Sequence, residues 1–142
     1  MTTAREIMHQ GAQCVQETDT LEQAARLMRD LRVGALPICG SDQRLQGIIT
    51  DRDIVIRCIA EGGDPRTATA RDLAQGTPLW IDADASIDEA IRVMTENKIR
   101  RLPVIDDHRL VGMISEADVA TNLGEREVAQ FTAAIYSAPP NL

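Results

Sequence analysis

The chain has 142 residues, of which 44% are hydrophobic but only 2% aromatic, so its core must consist mainly of aliphatic side chains. Its formal net charge of −7 disfavours binding to nucleic acid or to an anionic membrane, because both are polyanions. No apolar run approaches the roughly 18 residues that span a bilayer, and the first residues lack the apolar stretch of a signal peptide, so we expect a cytoplasmic protein.

The first predicted element is a short helix, because Thr3-Ala4-Arg5-Glu6 has the form of a capping box. The next long helix is amphipathic: Thr20 is its predicted cap, and apolar residues recur at helical spacing from Leu21 to Leu31. The elements that complete this part are a strand at 13–16 before that helix, hairpin strands at 35–39 and 45–49 after it, and a further helix that begins at Thr50.

The same series then returns. Ala4-Arg5-Glu6-Ile7 recurs as Ala70-Arg71-Asp72-Leu73, and later segments recur in the same order. Such a repeat indicates two copies of one supersecondary unit, each β-α-β-β-α with a short leading helix, in an α+β fold. The predicted divisions are residues 1–66 for the first copy with the inter-repeat loop, 67–124 for the second, and 125–142 for a C-terminal helix and tail ended by Pro139-Pro140.

The most specific repeated pattern is Gly-hydrophobic-hydrophobic-Thr/Ser-x-x-Asp, at residues 47–53 and 112–118. With the leading Ala-Arg-Glu-Ile-Met segment, the alanine-rich capped helix and the Leu-Pro-hydrophobic strand, it resembles the tandem CBS (cystathionine-β-synthase) domain pair, or Bateman module, over roughly residues 4–124. The stretches 34–40 and 50–56 are especially similar to the mycobacterial hypoxic response protein type. The resemblance implies pseudo-twofold-related repeats, a homodimer, and clefts between the repeats. Many family members bind AMP, ATP or S-adenosylmethionine there, and others bind nothing detectable.

Two positions of this pattern carry residues whose chemistry suits a nucleotide. Thr50 and Ser115 lie where a strand ends and a helix begins, and a helix start presents unpaired N–H groups that suit a phosphate. Asp53 and Asp118 each offer two acceptor oxygens, which match the two neighbouring hydroxyls of a ribose. The same residues also form good helix caps without any ligand, so both interpretations stay open.

The two copies differ in their basic residues. The resemblance implies that a basic residue just before the Leu-Pro pair meets the phosphate of AMP, and guanidinium makes forked bonds to phosphate oxygens. The predicted second site therefore consists of Ser115, Asp118, Arg100, Arg101, Leu102 and Pro103. The predicted first site consists of Thr50, Arg52, Asp53, Gly34 and Ala35, and it is doubtful for a phosphorylated ligand because Gly34 and Ala35 replace the arginines. Surface ion pairing to Glu96, Asp106 or Glu116 is the alternative role for all three arginines.

Three cysteines show no metal-binding spacing. Cys14 and Cys39 fall in neighbouring predicted strands, where they are either buried small hydrophobes or a disulfide worth roughly 3 kcal/mol, which a reducing cytosol would oppose. Cys58 is expected to be a core residue. His108 beside Asp106 and Asp107 is a weak alternative for metal binding, and we expect neither a metal nor another cofactor.

No nucleophile stands with a base in a recognisable local signature, and no phosphate loop or dinucleotide fingerprint is present, so we expect no catalysis. The leading hypothesis is a regulatory or sensor module for adenosine-containing ligands, acting as a homodimer. The alternative is a ligand-free dimeric stress-response protein with degenerate clefts and a Cys14–Cys39 clamp. The sequence names no downstream partner.

Overall fold

The computed structural model describes residues 2–10, 13–76 and 78–137. The chain forms two compact units. The first-repeat unit comprises Ala12–Pro78, and the second-repeat unit comprises Met1–Gly11 together with Leu79–Asn141. Each unit thus holds the body of one copy and the leading segment of the other.

The elements alternate between short strands and helices, as the α+β prediction required. In chain order they are α1 (Ala4–Ile7), β1 (His9–Gln10), β2 (Val15–Gln16), α2 (Leu21–Leu31), β3 (Ala35–Cys39), β4 (Leu45–Thr50), α3 (Asp51–Asp53) with a π-helical continuation over Ile54–Ile59, α4 (Ala70–Leu73), β5 (Ile81–Asp82), α5 (Ile87–Asn97), β6 (Arg101–Asp106), β7 (Arg109–Ser115), α6 (Glu116–Ala120) and α7 (Glu125–Tyr136).

A three-stranded sheet of order β2-β3-β4 forms the first-repeat unit. β3 runs parallel to β2 and antiparallel to β4, in a register that places Leu36 opposite Ile49 and Ala35 opposite Thr50. The buried core on this sheet is aliphatic, with Leu21, Ala24 and Met28 contributed by α2. The predicted hairpin and amphipathic helix are confirmed, although Ala25 and Leu31 of the predicted apolar face are exposed.

A four-stranded sheet of order β1-β7-β6-β5 forms the second-repeat unit. The β6–β7 hairpin places Leu102 opposite Ile114, and both side chains are fully buried. Phe131 and Ile135 of α7 join the same core, so the predicted closing helix packs against this unit. Pro139 and Pro140, which were expected to end that helix, lie outside the described residues.

The first leading helix, α1, begins differently from the prediction. Thr3 makes no side-chain capping bond to α1. The first N–H groups of α1 are instead satisfied by backbone, because Ala4 donates to the carbonyl of Ala85 (2.8 Å) and Arg5 donates to that of Ala83 (2.9 Å). In the other unit the Thr69 N–H donates to the Asp72 carboxylate at 2.9 Å.

None of the helices in the described residues combines the length and apolar character needed to cross a membrane.

Candidate functional site

The two predicted helix starts are present and are built in the same way. In the second-repeat unit the Ser115 N–H donates to Asp118 Oδ2 (2.8 Å), and the Asp118 N–H donates back to Ser115 Oγ (3.4 Å). In the first-repeat unit Thr50 and Asp53 exchange the same pair of bonds, each at 3.0 Å. Both motifs are capping boxes, so these residues hold their helices whether or not a ligand is bound.

Asp118 is held more closely than a cap requires. Its Oδ2 also accepts the Ser115 hydroxyl at 2.9 Å, and its Oδ1 lies 2.8 Å from His9 Nε2. The Asp118 side chain is only 12% exposed, whereas that of His9 is 74% exposed. The His9 imidazole partly covers the Asp118 carboxylate. Once His9 is displaced, the carboxylate can accept hydrogen bonds from the hydroxyl groups of a ligand.

Arg100 and Arg101 lie beside this helix start because of the β6–β7 register. Arg101 is paired with Ser115 across the two strands, and the Arg100 carbonyl accepts the Glu116 N–H at 3.1 Å. Leu102 and Pro103 are buried in the sheet, so they fix the position of the two arginines that precede them. The hairpin thereby brings the predicted carboxylate, hydroxyl and guanidinium groups of the second site to one end of one sheet.

An aromatic ring from α7 covers Arg100. The guanidinium carbon of Arg100 lies 4.3 Å from the centre of the Tyr136 ring, a cation–π distance. The Tyr136 hydroxyl donates to Glu116 Oε1 at 2.7 Å. This bond, together with desolvation and the negative charge of Glu116, raises the pKa of Tyr136, while the charges of Arg100 and Arg101 oppose the shift.

The alternative ion-pair partners of the arginines are largely taken. Glu96 pairs with Arg92 at 3.2 Å, and Asp106 pairs with Arg5 at 2.8 Å. Within the described residues Arg100 and Arg101 form no ion pair. Their charge is therefore available to an anion beside Ser115.

The first-repeat site has glycine and alanine at the two strand positions where the second-repeat site has arginines. The Gly34 carbonyl accepts the Asp51 N–H at 2.9 Å, which copies the backbone bond between Arg100 and Glu116. A side chain at Gly34 would approach Asp51 Oδ2 to 3.2 Å, and Ala35 stands opposite Thr50 in the strand pair. Arg52 lies on α3, exposed, with its N–H donating to Asp51 Oδ1 at 2.8 Å. The backbone of the site is thus repeated, but the two strand arginines are not.

Two of the three cysteines are joined and the third is free. A disulfide joins Cys14 and Cys39, with 5.6 Å between their Cα atoms, so the disulfide alternative is confirmed over the pair of free thiols. Cys39 belongs to β3 and is fully buried, whereas Cys14 lies one residue before β2. Cys58 is a buried free thiol, as expected.

His9 is the residue that sequence reasoning missed. β1 pairs with β7 and carries the His9 side chain to Asp118. Only the alignment of His9 with Gln75 in the repeat draws attention to it, since local spacing gives no sign of a contact so distant along the chain. The other histidine, His108, is exposed in the β6–β7 turn, and the described residues contain no cluster of three or more potential metal ligands.

Comparison with known proteins gives a consistent assignment. A family model described as the CBS domain matches residues 4–59 and 70–125. Hypoxic response protein 1 of Mycobacterium tuberculosis is 55% identical over 137 residues, which cover 96% of each chain. The CBS domain-containing protein YhcV of Bacillus subtilis is 33% identical, with 91% of each chain covered.

Solved structures agree with that assignment. The protein in a crystal structure of Hypoxic Response Protein I with two coordinated zinc ions is 55% identical to this chain. The two structures align with a TM-score of 0.80 over 87% of this chain and 100% of the other. The structure of CBSX2 in complex with AMP has a TM-score of 0.73 and covers 93% of this chain and 99% of its own. At 23% identity, the second structure supports the fold alone.

Proposed function

The chain belongs to the CBS domain family, and we propose that it is a non-catalytic regulatory module that binds an adenosine-containing ligand at the Ser115–Asp118 helix start. It is homologous to hypoxic response protein 1, and the family consists of regulatory modules more often than of catalysts. The ligand classes we propose are AMP, ATP and S-adenosylmethionine.

One arrangement carries this proposal. A single hairpin end brings together the Asp118 carboxylate, the Ser115 hydroxyl and two arginines that have no ion-pair partner in the described part of the chain. The carboxylate suits the ribose hydroxyls, and the arginines with the helix start suit a phosphate. The AMP complex of CBSX2, a protein of the same fold, makes this ligand class the first to test.

We rank the second-repeat site above the first. The Thr50–Asp53 cap offers the same carboxylate and hydroxyl, but Gly34 and Ala35 leave it without strand arginines. A phosphorylated ligand would lose charge-assisted hydrogen bonds there. The first site is therefore proposed to bind weakly or not at all.

For the protein as a whole we propose a cytoplasmic homodimer that responds to its ligand by a shift in population between two arrangements. Such a ligand acts only as far as it binds one arrangement better than the other. The acidic net charge of −7 argues against nucleic acid as a partner. The protein that receives the signal is left open.

Calorimetric titration with AMP, ATP and S-adenosylmethionine, followed by thermal unfolding, tests the proposal. A ligand present at 100 times its Kd should add about 2.7 kcal/mol to the free energy of unfolding, which raises Tm by several degrees. Absence of both heat and a Tm shift at millimolar concentrations of all three would contradict it.

A second function has its own support. The Cys14–Cys39 disulfide and the already occupied Asp118 suit a ligand-free interaction protein whose first-repeat unit is clamped. Under this alternative, the dimer would form identically with and without nucleotide. Sedimentation measured with and without AMP distinguishes the two, because only the regulatory module should change its hydrodynamic behaviour on binding.

A further inference from the structure

His9 occupies the acceptor that the ribose would need. Asp118 Oδ2 already accepts two bonds from Ser115, at 2.8 and 2.9 Å, which fills its usual capacity. Oδ1 is therefore the oxygen left for an incoming hydroxyl, and His9 Nε2 lies 2.8 Å from it. With His9 in place Oδ1 can accept one further bond, so a vicinal diol can direct both hydroxyls to Oδ1 only if His9 moves away.

The placement of His9 is built into the sheet. His9 stands opposite Met113 and Gln10 opposite Gly112 in the antiparallel β1–β7 pair. A Cβ atom at Gly112 would come within 2.5 Å of Met8 Sδ and 2.7 Å of the His9 carbonyl oxygen. Only glycine permits this approach, so Gly112 is what allows β1 to deliver His9 to Asp118.

The described residues of the first repeat show no counterpart of the contact between His9 and Asp118. Gln75 aligns with His9, and Gln75 also lies beside the matching glycine, Gly47, at 3.5 Å from where its Cβ would stand. In the described part of the chain no hydrogen bond joins Gln75 to Asp53. The difference between the copies thus includes an imidazole on one carboxylate as well as the arginines.

We propose that His9 is a positioning residue that competes with the ribose diol for Asp118 and so lowers the preference of the second-repeat site for ligands that carry both hydroxyls. The inference rests on the proposed function and deepens it. A nucleoside with two adjacent hydroxyls displaces His9, whereas a nucleoside without them leaves His9 in place. Because His9 is exposed, its displacement costs little, roughly two- to five-fold in affinity.

The test uses adenosine and the deoxy analogue that lacks both ribose hydroxyls, titrated calorimetrically into the wild-type protein and His9→Ala. Adenosine should bind His9→Ala roughly two- to five-fold more tightly than wild type, and the analogue should bind both equally. His9→Gln, which copies the first repeat, should behave like His9→Ala. His108→Asn is the matched control for loss of an exposed histidine elsewhere in the same unit, and it should change neither affinity.

The double variant His9→Ala/Asp118→Ala separates competition from a general effect, because without Asp118 the loss of His9 should bring no gain over Asp118→Ala. Unchanged or weaker adenosine binding by His9→Ala would overturn the inference, and so would an equal gain for the deoxy analogue. Binding of AMP but not adenosine to both proteins would overturn it as well. If neither protein binds adenosine, AMP, ATP or S-adenosylmethionine, the proposed function itself fails and the inference falls with it.

Discussion

At the scale of single residues, the second repeat uses one carboxylate for two purposes. Asp118 caps α6 through Ser115, and the same side chain holds His9. A cap of this kind contributes about 1 kcal/mol to helix stability, so the residue has a structural role even in a protein that never binds a ligand. The presence of this aspartate in the sequence therefore does not by itself indicate ligand binding. The neighbouring Arg100 and Arg101 are the residues that favour a phosphorylated ligand here.

Tyr136 gives a pH prediction at this scale. Its bond to Glu116 raises the pKa of the phenol, so the contact stabilises the fold below the ordinary tyrosine value of about 10. That stability is lost as the pH rises through the higher folded-state pKa. Because Tyr136 is the only tyrosine in the chain, ultraviolet titration of the phenolate reports it alone.

The folded protein should show a phenolate midpoint above that of the chain unfolded in denaturant. Glu116→Gln should move the midpoint back toward the unfolded value, because it removes the charge that the phenol faces. Glu125→Gln, a change on the first turn of α7, is the control and should leave the midpoint in place. A folded midpoint at or below the unfolded one would show that the Tyr136–Glu116 bond does not form in solution.

At the scale of elements, one glycine decides how closely two strands approach. Gly112 and Gly47 occupy the same place in the repeated pattern, but their surroundings differ. The nearest atoms to a Cβ at Gly47 belong to Ala74 at 3.4 Å, an ordinary contact. At Gly112 the nearest atoms include backbone of β1, which cannot turn aside as a flexible side chain can.

Gly112→Ala should therefore destabilise the protein by about 2–3 kcal/mol, as overpacking does, and should release β1 from β7. Gly47→Ala is the matched variant and should cost about 1 kcal/mol or less. Denaturant unfolding measures both, and the amide exchange of His9 and Gln10 reports the β1–β7 pairing. Equal costs for the two substitutions would refute the difference in packing.

Much of the secondary structure could be predicted from the sequence. Cap residues, hairpins and the amphipathic helix follow from patterns within a few residues, and Thr50 and Ser115 begin their helices as expected. The Thr3 cap was wrong because backbone from residues 83–85 satisfies α1 instead. The contacts of His9 with Asp118 and Tyr136 with Arg100 join residues far apart in the chain, so no local pattern contains them. The site assignment itself stays a prediction.

At the scale of the whole molecule, two features other than core packing connect segments that are distant in the chain. Each compact unit uses the leading segment of the other copy, and the sheet of the second-repeat unit takes its strand β1 from the first copy. The Cys14–Cys39 disulfide adds a covalent link within the first-repeat unit across 25 residues of sequence. An isolated second copy would therefore lose the edge strand β1 of its sheet.

The disulfide has a measurable consequence. Thiol titration of the unfolded, unreduced protein should give one thiol, Cys58, and three after reduction, whereas three before reduction would exclude the bond. Loss of the link should lower the free energy of unfolding by about 3 kcal/mol, because the unfolded chain regains loop entropy. Cys14→Ser should show this loss in the absence of reductant, and reductant should then have no further effect on its Tm.

The central claim is that the second-repeat helix start is the competent nucleotide site. Calorimetric titration of AMP into wild type, Asp118→Ala and Asp53→Ala tests it most directly. Each substitution removes a matched capping carboxylate, so their effects on folding should be similar, and thermal unfolding checks this. We expect Asp118→Ala to weaken AMP binding at least ten-fold, the equivalent of about 1.4 kcal/mol, and Asp53→Ala to change it less than two-fold. A larger loss for Asp53→Ala than for Asp118→Ala would contradict the account.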